Sequence, residues 1–406
     1  MLTRAQAVRV FLVFATGYFL SALIRAITAT LAPTLSAEFA LSAADLGLLA
    51  GGYFLGFAAT QLPLGVWLDR FGPKRVILAL LTLAALACVA FAMATHYAAL
   101  LAARVLSGVG VSACLMAPLT AYRRWFAPGA QLRANSWMLM TGSLGMLAST
   151  LPVQWLLPVM GWRGVFWLLA VVVLLCMALI ATLVPTWERT EIAPGAGQSG
   201  GYAMIWRHPT FRTLVPIGFF SYGGLVAVQT LWAAPWMNRV AGYDPTRTAA
   251  AMFWLNFCML VTFWTWGAIN PWLQRRGLSP DTIISRGLPM SFVVLAIIIV
   301  AGPAGADWAG VLWTLYCVSC TCIALAQPAV GMAFPAELAG RALSAYNLVI
   351  FVGVFVVQWG IGLAIQGGLT LGWSQAQAFQ VALAVFGIGS VLAYLHFLHA
   401  RRHNAR

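Results

Sequence analysis

Residues 65–75 read Gly65-Val66-Trp67-Leu68-Asp69-Arg70-Phe71-Gly72-Pro73-Lys74-Arg75. Four charged side chains fall in this short stretch, in a chain that is only 8% charged. On either side the sequence is apolar for long enough to cross a bilayer, over 44–67 and 76–94. A tight polar turn between two such stretches is the join of a membrane hairpin. The rest of the chain repeats that pattern.

Working outward, apolar windows fall at 8–32, 44–67, 76–94, 97–122, 134–158, 164–184, 211–238, 248–270, 282–302, 308–334, 342–366 and 376–398. They are long and continuously apolar, so they predict helices; barrel strands would be shorter and would alternate. The fold expected is an all-α polytopic membrane protein of 12 transmembrane helices. The composition agrees: 406 residues, 62% hydrophobic, mean hydropathy +0.88. Soluble domains carry about 25% charged residues. A soluble globular protein, a disordered tail and a disulfide scaffold are excluded. The 23 basic and nine acidic residues give a formal charge of +14, but the basic residues are scattered between apolar runs. No basic face forms for a nucleic acid.

The positive charges instead orient the chain. With twelve spans both termini lie on one side. That side holds Arg4, Arg9, Arg70, Lys74, Arg75, Arg123, Arg124, Arg133, Arg189, Arg207, Arg212, Arg275, Arg276, Arg286, Arg341, Arg401, Arg402 and Arg406. The other side holds Arg163, Arg239 and Arg247, and two arginines, Arg25 and Arg104, lie inside spans. The asymmetry puts both termini and the middle loop in the cytoplasm, in a bacterial-type inner membrane. The first span is too long for a signal-peptide core and is read as retained.

Residues 185–210 are the longest polar stretch, rich in Gly, Pro and Ser. They read as a cytoplasmic linker between an N-terminal six-helix bundle, 1–184, and a C-terminal one, 211–406. The halves echo each other at an offset of about 204: Tyr18 and Arg25 match Tyr222 and Gln229, and Gln154-Trp155 matches Gln358-Trp359. Such repeats are a transporter signature, with the site expected at the repeat interface near the midplane.

The 65–75 stretch resembles the loop signature of the major facilitator superfamily: Gly, three residues, Asp-Arg, one residue, Gly, then basic residues. Its place between spans 2 and 3 agrees, and the resemblance covers the twelve spans and the 6+6 split. It implies alternating-access transport by two pseudo-symmetric bundles. It implies close helix approach at Gly65, a gating carboxylate at Asp69, and cytoplasmic charge from Arg70 and Arg75. Gly72 and Lys74 complete the gating motif. Pro73 stands where a basic residue is usual in that family. Arg104-Val105-Leu106-Ser107-Gly108-Val109-Gly110 resembles a second superfamily motif. The same segment nominally fits a dinucleotide fingerprint, but no strand precedes it. Span 5 has Gly142 and Gly145 without the Gly-Pro pattern of drug–proton antiporters.

A charged group at mid-membrane is costly, so it is functional by default. Tyr18, Ser21, Arg25 and Thr28 are spaced by three and four and share one helix face. An arginine there suits bidentate capture of a carboxylate or similar oxyanion, and its placement resembles the organic-anion members of the superfamily. The alternative for Arg25, and still more for Arg104, is a structural arginine capped by helix carbonyls. The second-half partner is Gln229, not a second arginine, which favours a monovalent anion or a zwitterion. Further substrate-binding candidates are Tyr222 and Trp232 on span 7, Asn256 on span 8, Trp313, Tyr316 and Gln327 on span 10, and Gln358 on span 11. For each of these, packing between helices competes with ligand contact.

All nine acids and all five histidines fall in loops or near span ends, so no titratable relay is expected at depth. That favours a uniporter, an anion exchanger, or a symporter whose substrate carries the proton. No paired intramembrane acids, histidine-rich set or Ser–His pair suggests an enzyme. Cys317, Cys320 and Cys322 cluster, but small packing residues are the better reading than a metal site. The expectation is a monomer, without cofactor or metal, that moves a small anionic or zwitterionic solute through the lipid bilayer. The competing reading is drug or metabolite efflux.

Overall fold

Every regular element among the described residues, 2–126, 128–186 and 201–404 of this computed structural model, is helical. In lipid that is the expected outcome, because an unpaired backbone group there has no water to turn to. Ten helices are long and apolar enough to cross a membrane. One of them, Pro280–Met332, holds two passes, Pro280–Ala301 and Ala309–Met332, joined through Gly302 at φ 48°. Pro128–Ala148 and the start of Leu151–Leu183 supply the fifth span, and Gly161, at φ 64°, turns the chain into the sixth. These make up the twelve passes read from the sequence. The linker residues 187–200, with Glu188, Arg189 and Glu191, lie outside the described residues.

The decisive stretch folds as one sharp corner. Helix Ala43–Phe71 ends, and helix Pro73–Ala92 begins, with Gly72 alone between them at φ 78°. Its N–H still bonds to Leu68 O at 3.0 Å. Only glycine reaches such a φ without steric cost. Pro73 is the first helical residue, a position where proline loses nothing because that N–H is unpaired anyway. The proline that departs from the superfamily pattern is therefore a helix starter. Lys74 Nζ donates to Val184 O at 2.6 Å, which ties the start of span 3 to the end of span 6. Ser42 and Asp45 cap the start of span 2 reciprocally, with Ser42 N to Asp45 Oδ2 at 3.0 Å and Asp45 N to Ser42 Oγ at 3.1 Å.

By packing, the chain divides into Met1–Ile27 with Gly52–Gln198, and Thr28–Gly51 with Ser199–Arg406. The first unit closes around small residues. A Cβ at Gly108 would land on the carbonyl of Tyr53, and one at Gly56 on that of Val105. Gly145 meets Phe19 O in the same way. Such contacts let helices approach where lipid gives no hydrophobic drive to do so. In the second unit the tip of the first helical hairpin, 28–51, packs on span 11. A Cβ at Gly47 would lie 2.6 Å from Gln358 O, and one at Gly51 3.0 Å from the Phe355 ring. Sequence boundaries follow chain order, whereas these units follow contact.

Gly65 corrects one expectation. It is exposed, and among the described residues no heavy atom of another part of the chain comes within 4 Å of its Cβ position. The close approach implied for it is made instead by Gly56, Gly108 and Gly145, which face neighbouring backbones where Gly65 faces open space.

Candidate functional site

In the first unit the candidate residues gather on span 1, a continuous helix from Arg4 to Glu38 that runs through Pro33. Continuity keeps Tyr18, Ser21, Arg25 and Thr28 on one face, as their spacing implies. Tyr18 and Arg25 are half-buried, whereas Ser21 and Thr28 are buried at 2% exposure each. The Tyr18 ring lies against Gly142, where a Cβ would be 2.5 Å from the ring edge. Thr28 belongs to the second unit by packing.

Arg104 is fully buried. Its Nη1 donates to Ile24 O at 2.9 Å, and its Nη2 reaches Arg25 O at 3.5 Å. The guanidinium also sits 5.2 Å from the centre of the Tyr53 ring, and the Tyr53 hydroxyl reaches back to Ser21 O at 3.4 Å. Backbone carbonyls and an aromatic face thus hold this charge. The geometry is that of a structural arginine, the alternative its sequence position left open. It pins the turn of span 1 that carries Arg25. Tyr53, missed in the sequence, is the third member of this latch; its only signal was an aromatic residue beside the glycine pair Gly51-Gly52.

In the second unit the polar candidates pair across helices. Gln229 Nε2 donates to Asn256 Oδ1 at 2.8 Å, and Asn256 Nδ2 donates to Met252 O at 2.8 Å. Gln358, fully buried, donates through Nε2 to Thr230 Oγ1 at 2.9 Å and to Ala227 O at 3.3 Å. Trp232 Nε1 donates to Gln358 O at 2.9 Å. Gln327 Nε2 donates to Asn347 Oδ1. Tyr316 is buried at 3% exposure against Trp313, and Trp313 packs against Trp236.

Span 7 owes its side-chain directions to two π-helical turns, Gly218–Tyr222 and Val228–Trp232. Tyr222 closes the first; Gln229, Thr230 and Trp232 lie in the second. Such widened turns cost hydrogen-bond geometry and concentrate at functional positions. No residue pattern announced them, and so Thr230 was missed.

The gating-motif residues Asp69, Arg70 and Arg75 are exposed, Gly72 is buried, and Lys74 makes its carbonyl bond. Among the described residues the acids lie at or near helix ends. Glu38 closes span 1, Asp45 and Asp281 stand in first turns, and Asp244 precedes Pro245. Cys317, Cys320 and Cys322 are buried thiols. Among the described residues no group of His, Cys, Asp and Glu is arranged to hold a metal ion.

The chain is 26% identical to a probable sulfoacetate transporter of Cupriavidus necator, over 57% of this chain and 57% of that protein. It is 26% identical to a triacylglyceride transporter of Mycolicibacterium hassiacum, over 85% of this chain and 63% of that protein. A 3-(3-hydroxy-phenyl)propionate transporter of Escherichia coli is 27% identical over 54% of each chain. The matches therefore span between about half and under two thirds of these curated relatives. In fold, the chain is similar to a bacterial homologue of the human lysosomal transporter Spinster, with TM-score 0.79, 16% identity, and coverage of 99% of this chain and 98% of that one. The model of the Major Facilitator Superfamily matches residues 14–358. Its match spans the hairpin corner at Gly72, the latch at Arg104 and the paired polar residues of the second unit, and the chain belongs to that superfamily.

Proposed function

We propose that this protein is a secondary transporter that moves a small organic anion, a carboxylate or sulfonate, across a bacterial cytoplasmic membrane by alternating access. The observation that carries the reading is Arg25. It is a half-buried cation near the middle of an unbroken membrane helix, on a turn whose backbone Arg104 holds. Placing a charge at that depth is costly, and capture of an anion is the function that offsets the cost. Guanidinium geometry matches a two-oxygen acid group. Two of the relatives are named for organic acids, sulfoacetate and hydroxyphenylpropionate, which supports the same solute class. A zwitterion with a carboxylate remains within the class.

Tyr18 and Ser21 share the face of Arg25 and are the proposed contacts in the first unit. Tyr222, Gln229, Trp232, Asn256, Tyr316, Gln327 and Gln358 are the proposed contributors from the second. Several of these are hydrogen-bonded to one another in this conformation and would have to exchange those partners for the solute. Arg104 is proposed as support for Arg25 rather than as a solute contact. The gating motif, with Asp69, Arg70, Lys74 and Arg75, is proposed to act in the conformational cycle. Both termini are proposed to be cytoplasmic, on the charge asymmetry, and the working unit to be a monomer.

No carboxylate stands in the middle of a span among the described residues. Coupling is therefore proposed to be uniport, exchange, or entry of a solute that brings its own proton. The second reading, efflux of an apolar metabolite, draws on the triacylglyceride relative; Arg25 weighs against it. A thermal-shift screen of purified protein against carboxylates, sulfonates, phosphates and amino acids tests the proposal. A ligand stabilises what it binds. Stabilisation by an organic acid, lost in Arg25→Ala, is the expected result. Stabilisation by neutral apolar solutes alone would overturn it.

A further inference from the structure

The far end of span 7, away from the linker, carries Trp236, which forms with Trp313 of span 10 a pair of indoles whose N–H groups the proposed function has not used. Trp236 and Trp313 meet edge-on, with ring centres 5.8 Å apart and planes at 78°. Trp313 meets Tyr316 at 5.8 Å and 90°. Trp236 is 1% exposed and Trp313 is fully buried. Among the described residues neither indole Nε1 has a hydrogen-bond acceptor. Half-buried Arg239 follows Trp236 by three residues, which places it one turn further out along the same face.

Leaving a buried donor unpaired is costly, because its water partner is lost and not replaced. Native interiors pair the large majority of such groups. Two orphaned donors on adjacent rings therefore need an explanation. An indole N–H can only donate, so what completes the pair must accept. A cation is excluded by the same inventory, and Arg239 adds positive charge.

We infer that Trp236 and Trp313 form a second station for the acid group of a small carboxylate or sulfonate, in the second unit. The indole N–H groups donate to its oxygens, and Arg239 draws it in. The inference rests on the reading of the chain as an organic-anion carrier. It differs from the Arg25 proposal in supplying neutral donors that bind and release an acid group without an ion pair. It also explains how the second unit handles an anion when Gln229 stands where Arg25 has its sequence counterpart.

The test uses full-length protein with ¹⁵N-labelled tryptophan in detergent, benzoate as the probe, and benzyl alcohol as the neutral control. Trp236→Phe and Trp313→Phe each delete one indole signal and so identify it. Benzoate is expected to shift both signals downfield, and benzyl alcohol neither. The shifts persist in Arg25→Ala, which separates this station from the first. Each Phe variant is expected to raise the half-saturating benzoate concentration of the remaining indole about fivefold. Its ligand-free melting temperature stays level or rises, because an unpaired donor has been removed. Unmoved indole signals would overturn the inference, as would Phe variants that keep benzoate affinity. In that case benzoate stabilisation that still depends on Arg25 leaves the proposed function standing. If one Phe variant does not fold, the other and the benzyl alcohol control still decide.

Discussion

Arg104 Nη1 lies 2.9 Å from the carbonyl oxygen of Ile24, one residue before Arg25. The two arginines inside the membrane are therefore not equivalent. One spends its charge on the backbone that carries the other.

From this follows a division between stability and binding. Arg104→Gln is expected to lower the stability of the purified protein by about 2–3 kcal/mol, since hydrogen bonds to a charged group are each worth roughly 1.5–3 kcal/mol. Arg25→Ala should leave the melting temperature near wild type and abolish uptake of an organic acid into proteoliposomes. Melting curves and uptake on both variants check the pair. Equal loss of stability in both would reassign Arg25 to structure.

Glycine substitutions separate the packed from the open positions. Gly108→Ala forces a Cβ onto the Tyr53 carbonyl and should prevent a stable fold or lower the melting temperature sharply. Gly65→Ala meets nothing within 4 Å among the described residues and should express and melt like wild type. If Gly65→Ala also slows transport, the motif glycine acts in another conformation of the cycle.

The Gln229–Asn256 bond predicts a measurable coupling. In a double-mutant cycle with Gln229→Leu and Asn256→Leu, thermal stability should show an interaction of about 0.6 kcal/mol, and no more than roughly 1.7 kcal/mol, the range found for side-chain bonds between membrane helices. Additive effects would mean the two amides do not bond in solution.

Asp69→Asn addresses the gating motif. It should slow turnover while leaving the ligand-induced rise in melting temperature unchanged, because a gating residue acts on cycling rather than on binding. Comparison of transport rate with thermal shift on one preparation is the measurement. Unaltered turnover would remove Asp69 from the cycle.

Proton dependence follows from where the acids stand. Uptake of a sulfonate that stays ionised between pH 6 and 8 should proceed without proton movement, since no acid lies mid-span among the described residues. A pH-sensitive dye inside the vesicles reads this directly. Steady acidification with such a substrate would point to a relay outside the described side chains.

The fold was legible because its signal is redundant. Twelve apolar runs, the charge asymmetry and the Gly72 corner all point to one architecture, and each is a property of local sequence. The site was legible only in part. Arg25 announced itself by depth, since a lone charge in an apolar run has few explanations. Arg104 looked the same in one dimension. Its role emerged only from packing: Gly108 seats span 4 against the Tyr53 backbone of span 2, and the guanidinium reaches across to the Ile24 carbonyl of span 1. Trp236 was invisible because tryptophans are common in this chain, and an unpaired N–H is a property of three-dimensional surroundings. Span 7 was also opaque. Its two π-helical turns change which face Gln229 and Trp232 present, and periodicity reasoning assumes a regular helix throughout.

The corner at Gly72 also constrains how the protein is made. A single residue joins Ala43–Phe71 to Pro73–Ala92. No slack remains for the second of these helices to choose its orientation after the first has left the translocon. The two are expected to partition into the bilayer together, as a hairpin. Arg70, Lys74 and Arg75 then act as one anchor for both, so losing a single charge should be buffered by the others. Lengthening the corner by a flexible insertion, with every charge retained, would uncouple the pair and expose the protein to misorientation during synthesis.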